Sequence, residues 1–358
     1  MTAHPPGTTA IETTGLGKRF GTLPALEGLD LVVPPGTVFG FLGPNGAGKT
    51  TTIRLLLGFI RPSAGSARIF GLDTWSDGVA ARRALGYLVP PEALYLDMSG
   101  DDQLDYAARL SGTPPVLRDR FLDALELGKA PLRRRLGTFS KGMRQKLALV
   151  MACQGDPDLL ILDEPTDGLD PLVQRAFESL LRERHRAGRT IFMSSHDLAE
   201  VERTCQRVAV VRGGHLVAQD SVAELLRLRR RTVDVRIDDA GAVAILALPN
   251  ATCLSREDGR LRAAIDGDLN PLLRILALHD IGDLSIESPT LEDAFMAFYE
   301  PAAAAPGPNG TAGTAGTSGG KDPVTLVAGR GTRVDVTAEM GDAEVATREA
   351  VASAGGRR

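Results

Sequence analysis

Short apolar runs alternate with amphipathic helical stretches along most of the chain. Val38-Phe39-Gly40-Phe41-Leu42 and Leu159-Leu160-Ile161-Leu162 have no polar face, which predicts buried strands. Thr190-Ile191-Phe192-Met193 reads the same way and leads into a helix start at residues 197–200. Thr52-Ile53-Arg54-Leu55-Leu56-Leu57 predicts a helix ending near Gly58. Residues 10–42 hold further β-like runs separated by turns, residues 66–70 another strand, and residues 82–89 a helix end followed by a strand. The chain then leaves regular structure at Pro90-Pro91, where two fixed φ angles and two missing donors stop any element.

Residues 93–150 are mostly helical. Leu104, Ala107 and Ala108 share one face, and Leu117, Phe121, Ala124 and Leu125 follow i, i+4, i+7, i+8, with Pro114-Pro115 between the two helices. Residues 208–219 predict a hairpin on Gly213-Gly214. Ser221 and Glu224 form a capping box for a helix through Leu228. After Arg229-Arg230-Arg231, residues 232–237 alternate as a strand and Asp238-Asp239-Ala240-Gly241 reads as a turn. Residues 231–299 form a small α+β unit, ending in an amphipathic helix over 290–299. Residues 300–358 are rich in Ala, Gly, Pro, Thr and Ser, with no aromatic residue. That composition predicts a flexible, disordered tail.

Composition narrows the class. The chain has 358 residues, 43% of them hydrophobic, so it can bury a substantial core in two domains or one large one. Its formal net charge of −4 argues against a dedicated nucleic-acid binder. Cys153, Cys205 and Cys253 lack metal-type spacing and are expected to be buried, reduced thiols. The first residues lack the basic and apolar regions of a signal peptide. No stretch approaches the roughly 18 apolar residues needed to cross a bilayer. The arginine triplets at 133–135 and 229–231 read as solvated faces.

Candidate chemistry centres on Gly43-Pro44-Asn45-Gly46-Ala47-Gly48-Lys49-Thr50-Thr51, a G-x-x-x-x-G-K-[ST] loop between a strand and a helix. Its glycines let backbone N–H groups turn inward around a phosphate chain, and the helix N-terminus adds partial positive charge. Lys49 is placed to reach the β- and γ-phosphates and Thr50 to ligate Mg²⁺. Asp163 and Glu164 close the 159–162 strand, where ligands bind in open α/β sheets. Asp163 is the second candidate Mg²⁺ ligand and Glu164 the candidate base for water. His196, delivered to the same sheet edge, is a candidate γ-phosphate contact. No Asn-Lys-x-Asp-like guanine reader is present, so adenine is the expected base.

These motifs, in this order, resemble the ATP-binding cassette proteins that power membrane transporters. Phe139-Ser140-Lys141-Gly142-Met143-Arg144-Gln145 is similar to the family's signature L-S-G-G-Q, and Asp170 in Gly168-Leu169-Asp170-Pro171 to its D-loop aspartate. Phe20 matches its adenine-stacking aromatic and His196 its switch histidine. The resemblance covers about residues 10–228. It implies an α/β P-loop NTPase, a RecA-like core with an antiparallel β subdomain and a helical subdomain near 93–155. The nucleotide-binding domain would span 10–230, with the small α+β unit at 231–299 as an accessory domain. It implies ATP and Mg²⁺ as ligands, and Lys49, Glu164 and His196 as the hydrolytic residues. It further implies a head-to-tail dimer with a second copy or a paralogous ATPase, in which Ser140, Lys141, Gly142 and Met143 face the partner's nucleotide. Residues 139–146 and 289–295 resemble ATPase subunits of ABC-2-type exporters of the daunorubicin-resistance kind. A separate integral membrane permease and a peripheral place on the cytoplasmic face of the plasma membrane follow from that. The alternative is a soluble cassette ATPase acting on ribosomes or DNA. Two departures stand out. Pro90 occupies the place of the family's Q-loop glutamine, and Lys141 replaces the first signature glycine, adding charge near the expected phosphate.

Overall fold

The structure is a computed structural model that describes residues 8–227, 230–288 and 290–292. The strands are β1 (Ile11–Phe20), β2 (Leu23–Val33), β3 (Val38–Leu42), β4 (Ala64–Ile69), β5 (Leu72–Asp73), β6 (Leu85–Tyr87) and β7 (Leu159–Asp163). They continue as β8 (Thr190–Ser195), β9 (Arg207–Arg212), β10 (His215–Ser221), β11 (Arg231–Arg236), β12 (Ala251–Glu257), β13 (Arg260–Ile265) and β14 (Asp283–Glu287). The helices are α1 (Lys49–Leu56), α2 (Gly78–Arg82), α3 (Gly100–Ser111), α4 (Arg118–Ala124), α5 (Lys129–Leu132) and α6 (Lys141–Cys153). They continue as α7 (Pro171–Arg186), α8 (Leu198–Thr204), α9 (Val222–Arg227), α10 (Asp239–Leu246) and α11 (Asn270–Leu276).

The central sheet has the order β10-β9-β3-β8-β7-β6, parallel except for the β9–β10 hairpin. The three apolar runs are its middle strands. They lack alternation because both faces are covered. Phe39, Phe41, Leu159, Ile161 and Phe192 point into one core, with α1 and the first sheet. Val38, Leu42, Leu160, Leu162, Ile191 and Met193 point into the other, with the helices. Phe192 packs its ring between Phe39 and Phe41, with centroids 6.0 and 5.4 Å away. The antiparallel sheet β2-β1-β4-β5 closes the first core. Helices α3 to α6 form the helical subdomain, and Leu104, Phe121 and Leu125 are buried there as the periodicity requires.

Residues 231–287 build β11-α10-β12-β13-α11-β14, an antiparallel sheet of order β12-β13-β11-β14. That is the split βαβ, ferredoxin-like arrangement. Val233, Val235, Leu261 and Ala263 face α10 and α11, and Thr232, Asp234 and Arg236 take the other face of β11. Two expectations change here. Asp238 does not open a simple turn: its Oδ1 accepts from the Gly241 N–H at 2.7 Å and caps α10. Caps and turns use the same residue types, so the local sequence does not separate them. Cys253 is exposed because β12 is an edge strand, whereas Cys153 and Cys205 are buried as expected and burial pushes both thiols up.

After β14 the chain returns to the core of residues 11–226. Leu291 is buried in the core cluster that holds Val201, Val222 and Leu225, and its N–H donates to Glu202 Oε2 at 2.8 Å. The helix expected at 290–299 begins at Leu291. The rest of it, and the tail expected at 300–358, lie outside the described residues. Among the described residues no helix is long and apolar enough to cross a membrane.

Candidate nucleotide site

The loop from Gly43 to Gly48 joins β3 to α1, and Gly43 and Gly48 are sterically required there. A Cβ on Gly43 would lie 2.3 Å from the Val211 carbonyl oxygen. Gly48 caps α1 at φ 106°, where L side chains are strained. The β9–β10 hairpin holds the loop from outside. The Gly214 N–H donates to the Ala47 carbonyl at 3.1 Å, and the Gly214 carbonyl accepts from the Glu27 N–H of β2 at 3.0 Å.

Lys49 is only 7% exposed. Its ammonium donates to the Gly43 carbonyl at 2.6 Å and lies 3.6 Å from Glu164 Oε1. The Thr50 hydroxyl donates to Asp163 Oδ2 at 2.9 Å. Asp163 Oδ1 accepts from the Ser194 hydroxyl at 2.5 Å, and Ser194 Oγ accepts from the Glu164 N–H at 3.0 Å. Glu164 sits at φ 48°, a conformation uncommon outside glycine and found at strained functional turns. Its Oε2 lies 2.6 Å from His196 Nδ1 and accepts from the His196 backbone N–H at 3.3 Å. Lys49, Thr50, Asp163, Glu164 and His196 thus form one connected polar group at the carboxyl ends of β3, β7 and β8.

Ser194 is the member that sequence reasoning missed. Its role comes from parallel register, with Asp163 opposite Ser194. No local signal carries that register. Pro90 follows β6, which pairs with β7 in parallel, and leads into a short turn over Pro91–Ala93. Phe20 stands apart from the connected group. It ends β1, half exposed, with the Lys18 ammonium 5.1 Å over its ring.

The signature residues form a second group. Ser140 caps α6, its hydroxyl accepting from the Met143 N–H at 3.2 Å. Gly142 lies against the Gly168 carbonyl, 3.1 Å from where a Cβ would stand. The Gln145 amide donates to the Pro165 carbonyl at 2.8 Å. Asp170 caps α7, and that bond from the Val173 N–H holds its carboxyl below the usual range. The Lys141 ammonium donates to Asp167 Oδ2 at 2.9 Å, and that bond raises its pKa. Both side chains of this pair are exposed.

The chain is similar to known proteins over most of its length. Residues 26–167 match the ABC transporter family model. The chain is 34% identical over 308 residues to a daunorubicin/doxorubicin resistance ATP-binding protein of Streptomyces peucetius, covering 81% of this chain and 92% of that one. It is 33% identical over 300 residues to a bacitracin transport ATP-binding protein of Bacillus licheniformis, covering 80% of this chain and 96% of that one. A solved ATP-binding subunit of an ABC transporter superposes with TM-score 0.58 and 31% identity, covering 62% of this chain and 93% of that one. At these identities over four fifths of its length, the chain belongs to the ATP-binding, ATP-hydrolysing proteins of the ABC transporter family.

Proposed function

We propose that this protein energises export through a separate ABC-2-type membrane permease, working from the cytoplasmic face as a head-to-tail dimer. The observation that carries the reading is the connected polar group at the ends of β3, β7 and β8. Its parts suit each step of hydrolysis. The loop amides and Lys49 bind the phosphate chain. Thr50 and Asp163 offer two hard oxygens 2.9 Å apart, a donor set that suits Mg²⁺, which favours one or two protein oxygens beside substrate phosphates. Bound there, Mg²⁺ would neutralise charge on the phosphates. Glu164 accepts the proton of the attacking water, and His196 orients Glu164 and faces the γ-phosphate. Phe20 offers its open ring face to adenine.

One chain carries one phosphate loop and one signature helix. Ser140, Gly142 and Met143 therefore serve the partner's nucleotide, with Lys141 and Asp170 shaping that face. The permease reading draws support from the relatives' names and from a cleft lined by Leu94, Tyr95, Leu96, Asp97, Met98 and Tyr106, with Glu92, Asp101 and Asp102 close by in the sequence. Cytoplasmic loops of membrane proteins carry excess Lys and Arg, which complements an apolar cleft with acidic neighbours. The names of the relatives make an antibiotic-like compound the class of cargo to assay first.

The test is light scattering of the Glu164→Gln protein with MgATP, followed by transport in vesicles with the wild-type protein and the candidate permease. ATP-dependent dimers and efflux are expected. A protein that stays monomeric at saturating MgATP, or ATP-independent efflux, would overturn the reading.

A further inference from the structure

We infer that Lys18 is a positioning residue for ATP binding, setting the ring of Phe20 as the platform for adenine. The Lys18 ammonium lies over the face of the Phe20 ring, 5.1 Å from its centroid. It is held there, because it donates to the Arg61 carbonyl at 2.8 Å. A free lysine stem samples many rotamers; one anchored to the main chain does not. Phe20 itself is 51% exposed, so little packing fixes its ring. With an anchored cation on one face, the ring keeps its opposite face for a base. The ammonium also draws on the negative face of the ring, which lowers repulsion toward an electron-rich purine stacked opposite.

The anchor matters because of where Arg61 stands. Helix α1 begins at Lys49 in the phosphate loop and ends at Leu56, and residues 57–63 carry the chain from it to β4. That segment is stapled to the end of β1. The Ser63 N–H donates to the Gly17 carbonyl at 2.8 Å, the Arg19 N–H donates to Ser63 Oγ at 3.0 Å, and the Lys18 side chain adds its bond to Arg61. Gly17 permits the approach, since a Cβ there would stand 3.3 Å from Ala64 Cβ. A second route runs through Arg19. Its guanidinium donates to the Thr22 carbonyl at 2.9 Å and to Glu27 Oε1 at 3.0 Å, closing the turn after Phe20. The Glu27 N–H donates to the Gly214 carbonyl, beside the Gly214 N–H that holds Ala47 in the phosphate loop. The strand end that bears Phe20 is thus tied to the phosphate loop and to the exit of α1. Among these contacts, the one from Lys18 reaches the ring itself. A nucleotide must engage ring and phosphate loop together, and a ring already in place saves the cost of ordering it on binding.

The inference rests on the reading of Phe20 as the adenine platform. The experiment uses the full chain with Lys18→Met, Lys18→Arg, Phe20→Ala and the Lys18→Met/Phe20→Ala double variant. Affinity is measured for the magnesium complex of a non-hydrolysable ATP analogue and for base-free magnesium tripolyphosphate, with kcat at saturating ATP and Tm beside them. Lys18→Met keeps the stem and removes the charge and the donor. It should weaken analogue binding about two- to fivefold, the range of an exposed cation–π contact, and leave tripolyphosphate within about 1.5-fold. Its kcat should stay within about twofold, since the reacting groups are untouched, and its Tm within about 2 °C, as for a surface side chain. Lys18→Arg, which keeps a cation and donors, should recover to within about 1.5-fold of wild type. The double variant should bind the analogue no more weakly than Phe20→Ala, because Lys18 acts through the ring. Unchanged analogue affinity in Lys18→Met overturns the inference. Tighter binding does so too, because the ammonium would then occupy the face the base needs. An equal loss for tripolyphosphate overturns it by making the effect one of charge on phosphates, and a fall in Tm above about 5 °C by making it one of folding. Wild-type analogue affinity in Phe20→Ala would instead overturn the underlying adenine reading, so the two failures are distinguishable.

Discussion

Glu164 is the proposed base for the attacking water, and its carboxylate also lies beside the Lys49 ammonium. Replacing it with glutamine keeps the shape and removes the charge. The Glu164 Oε1 to Lys49 Nζ separation is 3.6 Å. At an effective dielectric of about 20 that attraction amounts to roughly 4.6 kcal/mol. The Glu164 side chain is 28% exposed, so solvent reduces the net effect to about 1–2 kcal/mol. Removing it frees the ammonium for phosphate and deletes a like charge facing the nucleotide. Glu164→Gln should therefore bind MgATP about five- to thirtyfold more tightly. Loss of the base should lower turnover about 10²- to 10⁴-fold, or roughly 3–5 kcal/mol of barrier. Calorimetric titration and phosphate release measure both quantities on one preparation. Slow turnover with weakened binding would refute the electrostatic part. Turnover within about threefold of wild type would refute the assignment of the base.

Gly43→Ala forces a Cβ to 2.3 Å from the Val211 carbonyl and should cost about 1–3 kcal/mol of stability by overpacking, with weaker MgATP binding; an unchanged denaturation midpoint and affinity would contradict the close approach. Leu291→Ala empties a side chain that is 2% exposed and should cost about 2–5 kcal/mol in denaturant titration, whereas an effect below about 0.5 kcal/mol would mean that the return to the cassette core is not formed. Glu200 holds its proton to higher pH folded than unfolded, because burial raises its carboxyl above the ordinary glutamate value of 4.5. Its contribution is present below that value and is lost as pH rises through the raised pKa, so Glu200→Gln should gain in Tm on wild type as pH rises above 4.5, and a constant difference would count against a buried, raised acid. Lys141→Asp should reduce ATP turnover by setting like charges beside Asp167, with recovery in the Lys141→Asp/Asp167→Lys exchange and no change in Tm, since both side chains are exposed; a single variant at wild-type turnover would show the ion pair to be incidental.

Much of this molecule was legible in the linear chain because its signals are local. Continuous apolar runs fix β3, β7 and β8 as strands covered on both faces. A glycine loop between strand and helix identifies the phosphate site from spacing alone. Asp163, Glu164 and His196 follow from lying at the ends of those strands. What stayed hidden depends on parallel register and on contacts between distant segments. Ser194 meets Asp163 only because β7 and β8 align residue for residue. Asp238 reads as a turn until helix α10 forms behind it. Cys253 is exposed only because β12 is an edge strand. Lys141 was visible as a charge in the signature, but its partner Asp167 is 26 residues away, and Glu200 looked like any acid in a first helical turn. The sequence determined which chemistry is present, since motif spacing acts within a few residues. The tertiary structure decided which charges are engaged and which loops are tied together, because those energies depend on distance and burial, and only folding sets either.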